Sequence, residues 1–384
     1  MIRRETTINF TRAARQSHER LSLLAARLDT AAGGTSTETP LRADSTGGAY
    51  DMEVSIGSPP QKLSALADTG SDLIWVKCGR CASCKPKGSP SFNPTKSSSF
   101  SKLPCNAHLC MVLWSQNLAT CGGLGTECDY RYSYGLAADG QHYTQGFLGN
   151  ETFTLGSDAV KDVGFGCTTM SEGDYGTGSG LVGFGRGPLS LVSQLKVGAF
   201  SYCLIDDPSK ESPLLFGSLA NLTGAGVQST KLLRSSTFYN VNLKSITIGS
   251  VTTPGTGTDG FVFDSGTTLT YLTEPAYTAA KRAILYQTSL RRVANRYGFE
   301  ACFQATDNDA SNVVPPMVLH FDGANMELPA ENYFAEVENG VICWVVQKSP
   351  SLSIIGNIMH MNYHIRYDLD MKMLSFQQAN CSSI

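Results

Sequence analysis

Asp68-Thr69-Gly70-Ser71 and Asp264-Ser265-Gly266-Thr267 write one short signature twice, each copy behind an apolar run. Two copies predict a single site shared by two halves of the chain. The residue types carry a specific chemistry. Two carboxyls about 3 Å apart cannot both ionise, so they share one proton and titrate as a unit. In each copy the glycine lets the backbone turn tightly at the end of a strand. The following Ser71 or Thr267 offers a hydroxyl that can orient the carboxylate. One isolated copy would be weak, because Asp, Gly and Ser also dominate ordinary turns.

The flanks repeat too. Tyr50-Asp51-Met52-Glu53-Val54-Ser55-Ile56-Gly57 alternates as a half-buried strand, and so does 239–249 through Val241, Leu243, Ile246 and Ile248. Downstream of each Asp comes an apolar pair and a glycine, Leu181-Val182-Gly183 and Ile354-Ile355-Gly356. The chain therefore reads as a duplication whose period is far too long for a solenoid.

On these residues the chain resembles a pepsin-like aspartic protease, and more narrowly the plant nepenthesin-type branch, from about residue 47 to the C-terminus. The resemblance implies a mainly β, two-lobed fold with pseudo-twofold duplication. It implies three spans: 1–45 as prosegment and linker, 46–231 as an N-terminal lobe with a Cys-rich insert, and 232–384 as a C-terminal lobe. It assigns Asp68 and Asp264 as the catalytic pair at the floor of a cleft, with Gly70, Ser71, Gly266 and Thr267 beside the substrate. Trp75, in Asp72-Leu73-Ile74-Trp75, falls beneath the substrate flap; Phe261-Val262-Phe263 and Leu269-Thr270-Tyr271-Leu272 complete the pattern around the second Asp.

The implied activity is an aspartic endopeptidase working in acid without a metal or organic cofactor. One carboxylate would act as general base on a bound water while its protonated partner bonds the scissile carbonyl. Polypeptide substrates, pepstatin-type inhibitors and a monomeric state go with that reading. A second class stays open. Plants also use this fold in proteins that bind and inhibit glycoside hydrolases, and their usual departure is a disrupted catalytic motif. Both motifs are intact here.

The flap departs from its relatives. In place of the family's compact Tyr-Gly-Asp-Gly-Ser hairpin stand Tyr132-Ser133-Tyr134-Gly135, then Leu136-Ala137-Ala138, Asp139-Gly140 and Gln141-His142-Tyr143. Tyr134 is the candidate flap tyrosine, bonding toward Trp75, under a lengthened tip. Tyr132 and Tyr134 also read simply as alternating strand aromatics.

Twelve cysteines refine the assignment. Seven crowd after the first motif, Cys78, Cys81, Cys84, Cys105, Cys110, Cys121 and Cys128, and resemble the nepenthesin-type insert. Cys167, Cys203, Cys302, Cys343 and Cys381 are scattered to the C-terminus. Cys78-x2-Cys81-x2-Cys84 has zinc-like spacing, whereas the even total suits disulfides in an oxidised, secreted or vacuolar chain. Spacing leaves the connectivity open. Asn150-Glu151-Thr152, Asn221-Leu222-Thr223 and Asn380-Cys381-Ser382 are glycosylation sequons that fit the same compartment, though such triplets also arise by chance.

Composition excludes other classes. Of 384 residues 41% are hydrophobic and only 16% charged, enough apolar material for two cores. Residues 1–45 hold seven Arg against five acidic residues, a net of +2, so a chain at −3 leaves −5 on the remainder. A mildly acidic body argues against nucleic acid. The basic segment, with Leu21, Leu24 and Leu28 at helical spacing and a soft run over 31–38, reads as an inhibitory prosegment or as a tail without a role. No apolar run is long enough to span a bilayer, and none of signal-peptide length follows Arg3 and Arg4, which suggests a start further upstream. The C-terminus lacks the apolar tail of a lipid-anchor signal.

Elsewhere the sequence predicts a helix over 275–286, strands over 318–321, 341–346 and 363–376, and a loop over 173–180. Gly183-Phe184-Gly185-Arg186-Gly187 is no nucleotide fingerprint. His108, His142, His320, His360 and His364 read as solvent or core histidines, since no Gly-x-Ser-x-Gly elbow accompanies them.

Overall fold

The computed structural model describes residue 10 and residues 36–44, 48–122, 126–134, 142–173, 175–224, 226–235, 237–305 and 313–384. The chain is mainly β and two-lobed. Among the described residues, strands gather into a 15-stranded sheet, a 7-stranded sheet and a 3-stranded sheet. The duplication is visible in register. Strand Tyr50–Ile56 runs antiparallel to Gln61–Asp68, which lies parallel to Gly180–Gly183 with Leu181 opposite Leu66 and Gly183 opposite Asp68. In the second half Asn240–Ile248 runs antiparallel to Val251–Asp264, which lies parallel to Ile354–Gly356 with Ile354 opposite Val262 and Gly356 opposite Asp264. Each Asp therefore ends a strand whose parallel neighbour ends in glycine.

Close approach explains those glycines. A Cβ on Gly183 would lie 2.3 Å from the Asp72 carbonyl carbon, and one on Gly356 would lie 2.3 Å from the Leu269 carbonyl oxygen. Any side chain there would push away the turn that follows each aspartate motif.

The large sheet joins the halves. Ala199–Cys203 pairs with Ser212–Phe216 on one side and with Tyr363–Asp368 on the other, and Met373–Gln378 and Gln228–Lys231 extend it. Strands from the chain's last part are thus woven into the sheet of its first part. Strand Glu38–Ala43 lies between Ser212–Phe216 and Tyr50–Ile56, paired on both edges, although its residues fall inside the span read as prosegment and linker. Leu41 is its buried anchor. Residues 11–35, including Leu21, Leu24 and Leu28, lie outside the described residues. Phe10 is buried, edge-on to Phe299 at 6.2 Å.

The main apolar core runs through both halves. A second cluster holds Trp75, Tyr130, Tyr132, Tyr134, Tyr175 and Leu181, together with Cys110, Leu113 and Cys128 of the insert. The insert's helix His108–Ser115 buries Cys110 and Leu113 into it, at the i, i+3 spacing of one helical face. All twelve cysteines pair: Cys78 with Cys167, Cys81 with Cys84, Cys105 with Cys121, Cys110 with Cys128, Cys203 with Cys381 and Cys302 with Cys343. The three cysteines at zinc-like spacing are thus joined in disulfides, to one another or to Cys167. The predicted helix is found at Ala276–Gln287, with Tyr277, Ala280, Ala283 and Ile284 buried on its inner face. The span 363–376 is a hairpin, because Lys372 takes a positive φ of 54° in the turn between Tyr363–Asp368 and Met373–Gln378. The span 341–346 breaks after Val341–Trp344 and resumes as Val346–Lys348, paired with Thr270–Leu272.

Candidate active site

Asp68 and Asp264 are both fully buried, each at the last position of its strand. Their surroundings match atom for atom. The Gly70 N–H donates to Asp68 Oδ1 at 2.7 Å, and the Ser71 hydroxyl donates to Asp68 Oδ2. The Gly266 N–H donates to Asp264 Oδ1 at 3.0 Å, and the Thr267 hydroxyl donates to Asp264 Oδ2. The expected orienting hydroxyls are therefore in place. Both carboxyls also crowd one glycine: a Cβ on Gly70 would lie 2.7 Å from the Asp264 carboxyl carbon. Gly70 thus bonds one Asp through its amide and makes room for the other through its missing side chain.

The middle residues of the two motifs lock the loops together. Thr69 Oγ1 donates to the Phe263 carbonyl at 3.1 Å and accepts the Ser265 N–H at 2.8 Å. In mirror fashion Ser265 Oγ donates to the Ala67 carbonyl at 2.9 Å and accepts the Thr69 N–H at 3.1 Å. Four buried hydrogen bonds thus cross between residues almost two hundred apart in sequence, fixing one carboxyl against the other.

Further supports differ between the halves. Asn357, just after Ile354-Ile355-Gly356, donates from Nδ2 to the Ser265 carbonyl at 2.9 Å and to the Gly48 carbonyl at 3.2 Å. The Thr268 hydroxyl donates to the same Gly48 carbonyl. On the first side Asp72 takes the Gly187 N–H at 2.9 Å and the Thr237 hydroxyl at 2.7 Å, tying the first motif to the start of the second half. The Gly183-to-Gly187 run is thus the partner of the Asp72 turn.

Trp75 is fully buried, with Tyr175 edge-on at 5.0 Å and Tyr134 at 6.3 Å between ring centroids. Tyr134 packs on Tyr132 and Tyr175 at 4.9 and 5.3 Å. The indole Nε1 has no hydrogen-bond partner among the described residues, so Tyr134 meets Trp75 ring to ring and not through the expected hydroxyl bond. The Tyr134 N–H donates to the His142 carbonyl at 2.7 Å and closes the base of the hairpin. Residues 135–141, the lengthened tip with Leu136, Ala137 and Ala138, lie outside the described residues.

Burial shapes the neighbouring titrations. Burial, with the charge of Asp44 behind it, pushes the Asp51 carboxyl up to about 7 against the hydroxyls of Ser64 and Thr177. Burial holds His360 down at about 3, opposed by the charge of Asp264, and holds His364 down at about 4. The core reading of those two histidines is correct; His320 instead bridges Thr247 and Asn325. Among the sequons, Asn221 and Asn380 are exposed. Asn150 is half-buried in a strand, its amide on Asp162 at 3.0 Å.

Thr69, Ser265, Asn357 and Tyr175 were not singled out by sequence reasoning. A hydroxyl residue at the second position of both motifs was the available signal for Thr69 and Ser265. Tyr175 hides in a Gly- and Ser-rich run that reads as loop. Nothing local marks Asn357.

Residues 50–218 match the family described as xylanase inhibitor N-terminal, and residues 238–378 its companion described as xylanase inhibitor C-terminal. The chain is 43% identical to aspartic proteinase nepenthesin-1 of Nepenthes gracilis, over 97% of this chain and 86% of that protein. It is 39% identical to nepenthesin-2 of the same plant, over 97% and 86%. Among solved structures, edgp superposes with a TM-score of 0.73 at 19% identity, covering 91% of this chain and 96% of that one. Basic 7S globulin from soybean superposes with a TM-score of 0.70 at 18% identity, covering 90% and 97%. At such identities these two structures speak for the fold alone.

Proposed function

The chain belongs to the plant pepsin-like aspartic proteinases and is an aspartic-type endopeptidase, and from that premise we propose that Asp68 and Asp264 jointly activate one water. The observation that carries this reading is the crowding of both carboxyls around Gly70, each with its own amide and hydroxyl donor. In acid the pair holds one proton. The ionised member draws a proton from the water as it attacks the peptide carbonyl, and the protonated member bonds the carbonyl oxygen. The tetrahedral intermediate collapses as a proton reaches the leaving amine. The amides of Gly70 and Gly266 and the hydroxyls of Ser71 and Thr267 hold each carboxyl in one orientation, which favours a preorganised charge arrangement over one that must rearrange during reaction. Substrate polypeptides would lie between this floor and the Tyr134 hairpin, with Trp75 and Tyr175 bracing it from below.

The same reading extends to the setting. Six disulfides fit a secreted or vacuolar enzyme, and no helix among the described residues is long and apolar enough to cross a membrane. Glycans would sit on the exposed Asn221 and Asn380 more readily than on the half-buried Asn150. The basic segment ahead of residue 36 would act as a prosegment, with Glu38–Ala43 retained in the sheet after its removal, in a monomeric enzyme.

A second reading draws on the xylanase-inhibitor description of both matched halves. On that reading the chain binds a glycoside hydrolase without cutting peptides. One experiment separates the two: cleavage of denatured globin near pH 4, with and without a pepstatin-type inhibitor, for the parent, Asp68→Asn and Asp264→Asn. Inhibitor-sensitive cleavage lost in both variants is expected. A parent that cuts nothing, yet inhibits a xylanase, would favour the binder.

A further inference from the structure

Beneath the two aspartate loops lies a connected set of buried hydroxyls and one imidazole. Tyr202 on strand Ala199–Cys203 and Tyr367 on the neighbouring strand Tyr363–Asp368 are both buried, with hydroxyls 2.6 Å apart. The Tyr202 hydroxyl also meets His360 Nδ1 at 2.9 Å. His360 is fully buried and stacks on Phe263, with ring centroids 5.3 Å apart and planes 15° from parallel. Phe263 immediately precedes Asp264, and its carbonyl receives the Thr69 hydroxyl.

Such a set is unfavourable in an otherwise apolar core unless each polar group is hydrogen-bonded. Phenylalanine would fill either tyrosine site without that requirement. His360 supplies a reason for the tyrosines. Its Nδ1 meets the Tyr202 hydroxyl, and its ring lies against Phe263, whose carbonyl receives the Thr69 hydroxyl. A fixed imidazole therefore seats the residue on which the tie between the two loops rests.

We propose that Tyr202, Tyr367 and His360 are positioning residues for the catalytic pair: the linked tyrosine hydroxyls hold the His360 imidazole, and its stack on Phe263 fixes the carbonyl that receives Thr69, and so the placement of one aspartate loop against the other, without touching substrate. The inference rests on the reading of Asp68 and Asp264 as the reacting pair. The ionisable groups facing His360 are Tyr202 from the joining sheet, itself bonded to Tyr367, and Asp264 from its loop. Because burial keeps its imidazole neutral over most of the acid range, it serves as a fixed hydrogen-bond partner there and not as a second charge.

The test uses the full chain and measures kcat, KM, the pH profile of kcat/KM and the thermal midpoint for Tyr367→Phe, Tyr202→Phe and His360→Gln. Tyr333→Phe is the control, since its buried hydroxyl bonds the Pro315 carbonyl and stands outside this set. Misplacing a reacting group by a fraction of an ångström costs about tenfold or more in rate. Each of the three variants is therefore expected to lose about tenfold in kcat, with KM within about twofold of the parent and a displaced pH profile. Tyr333→Phe should lose only stability. Folded variants with the parent's kcat and pH profile would overturn the inference. Should one variant fail to fold, the other two break the same set at different links and carry the same expectation. Asp68→Asn and Asp264→Asn run alongside: turnover surviving in them would sink the reading of the pair itself, whereas silence in the tyrosine and histidine variants alone sinks only this inference.

Discussion

The two aspartate loops agree wherever a carboxyl is held and differ wherever it is covered or anchored. Asp68 and Asp264 each take one glycine amide and one hydroxyl, and Thr69 and Ser265 exchange the same pair of hydrogen bonds. Beyond that shell the symmetry stops. Behind the first loop lie Trp75, Tyr134 and Tyr175; behind the second lie Asn357, Phe263 and His360. On the proposed reading, the lesson is that the halves match where two like carboxyls would act as one and differ where a substrate side and the joining sheet would make unlike demands.

The largest expected effect breaks the lock itself. Thr69→Val keeps the shape but strands the Ser265 N–H and the Phe263 carbonyl, each of which costs about 1–3 kcal/mol when buried without a partner. Ser265→Ala strands the Thr69 N–H and the Ala67 carbonyl in the same way. Symmetry alone predicts equal losses. Because Thr69 bonds Phe263, on which His360 stacks, its variant is expected to lose more kcat than Ser265→Ala, with both losses above tenfold; parallel kinetics and denaturant midpoints would read this out. Equal kinetics would restore the symmetry.

A second difference concerns strand positions that correspond. Asp51 lies opposite Leu66, two residues before Asp68, and Asn240 lies opposite Val262, two residues before Asp264. The first half thus buries an acid where the second carries a neutral amide. Burial and Asp44 raise Asp51 from 3.8 to about 7, so its contribution is fully present below pH 4 and lost as pH rises through 7, on the order of a few kcal/mol. His360 and His364, depressed from 6.5 to about 3 and about 4, act oppositely: the unfolded chain gains protons first, so they withdraw stability as pH falls below 6.5. Asp51→Asn gives the first half the residue of the second. Its thermal midpoint should match the parent's at pH 4 and exceed it by several degrees at pH 8, where the parent pays for an ionised buried acid.

Smaller effects sharpen the same contrast. Asn357→Ala removes the donor to Ser265 and Gly48 and is expected to cost about 2 kcal/mol, read from urea midpoints. Tyr175→Leu leaves the floor intact but loses two aromatic contacts, worth about 1 kcal/mol, and should raise KM more than it lowers kcat. A kcat loss without a KM change would place Tyr175 with the carboxyls instead of the flap.

Much of this was legible in the linear sequence because duplication is written in short local strings. The Asp-Thr-Gly-Ser and Asp-Ser-Gly-Thr copies, the alternating strands ahead of them and the apolar-apolar-Gly echoes appear in the structure at matching registers. What escaped needed the third dimension. Asn357 acts on residues 92 and 309 positions away, and Tyr202 meets His360 at a separation of 158, distances that no window of sequence spans. Strand Glu38–Ala43 was absorbed into a predicted linker, because its partners Ser212–Phe216 and Tyr50–Ile56 come from elsewhere in the chain. Cysteine pairing was hidden for the same reason: Cys78 closes onto Cys167 across 89 residues, past nearer sulfurs.

The proton sharing proposed for Asp68 and Asp264 is tested most directly by kcat/KM against pH from 3 to 8, with circular dichroism recorded at each point so that loss of fold is not mistaken for loss of chemistry. A rate that falls with rising pH while the chain is still folded is the predicted result. A rate at pH 8 equal to that at pH 4, on folded protein, would contradict it.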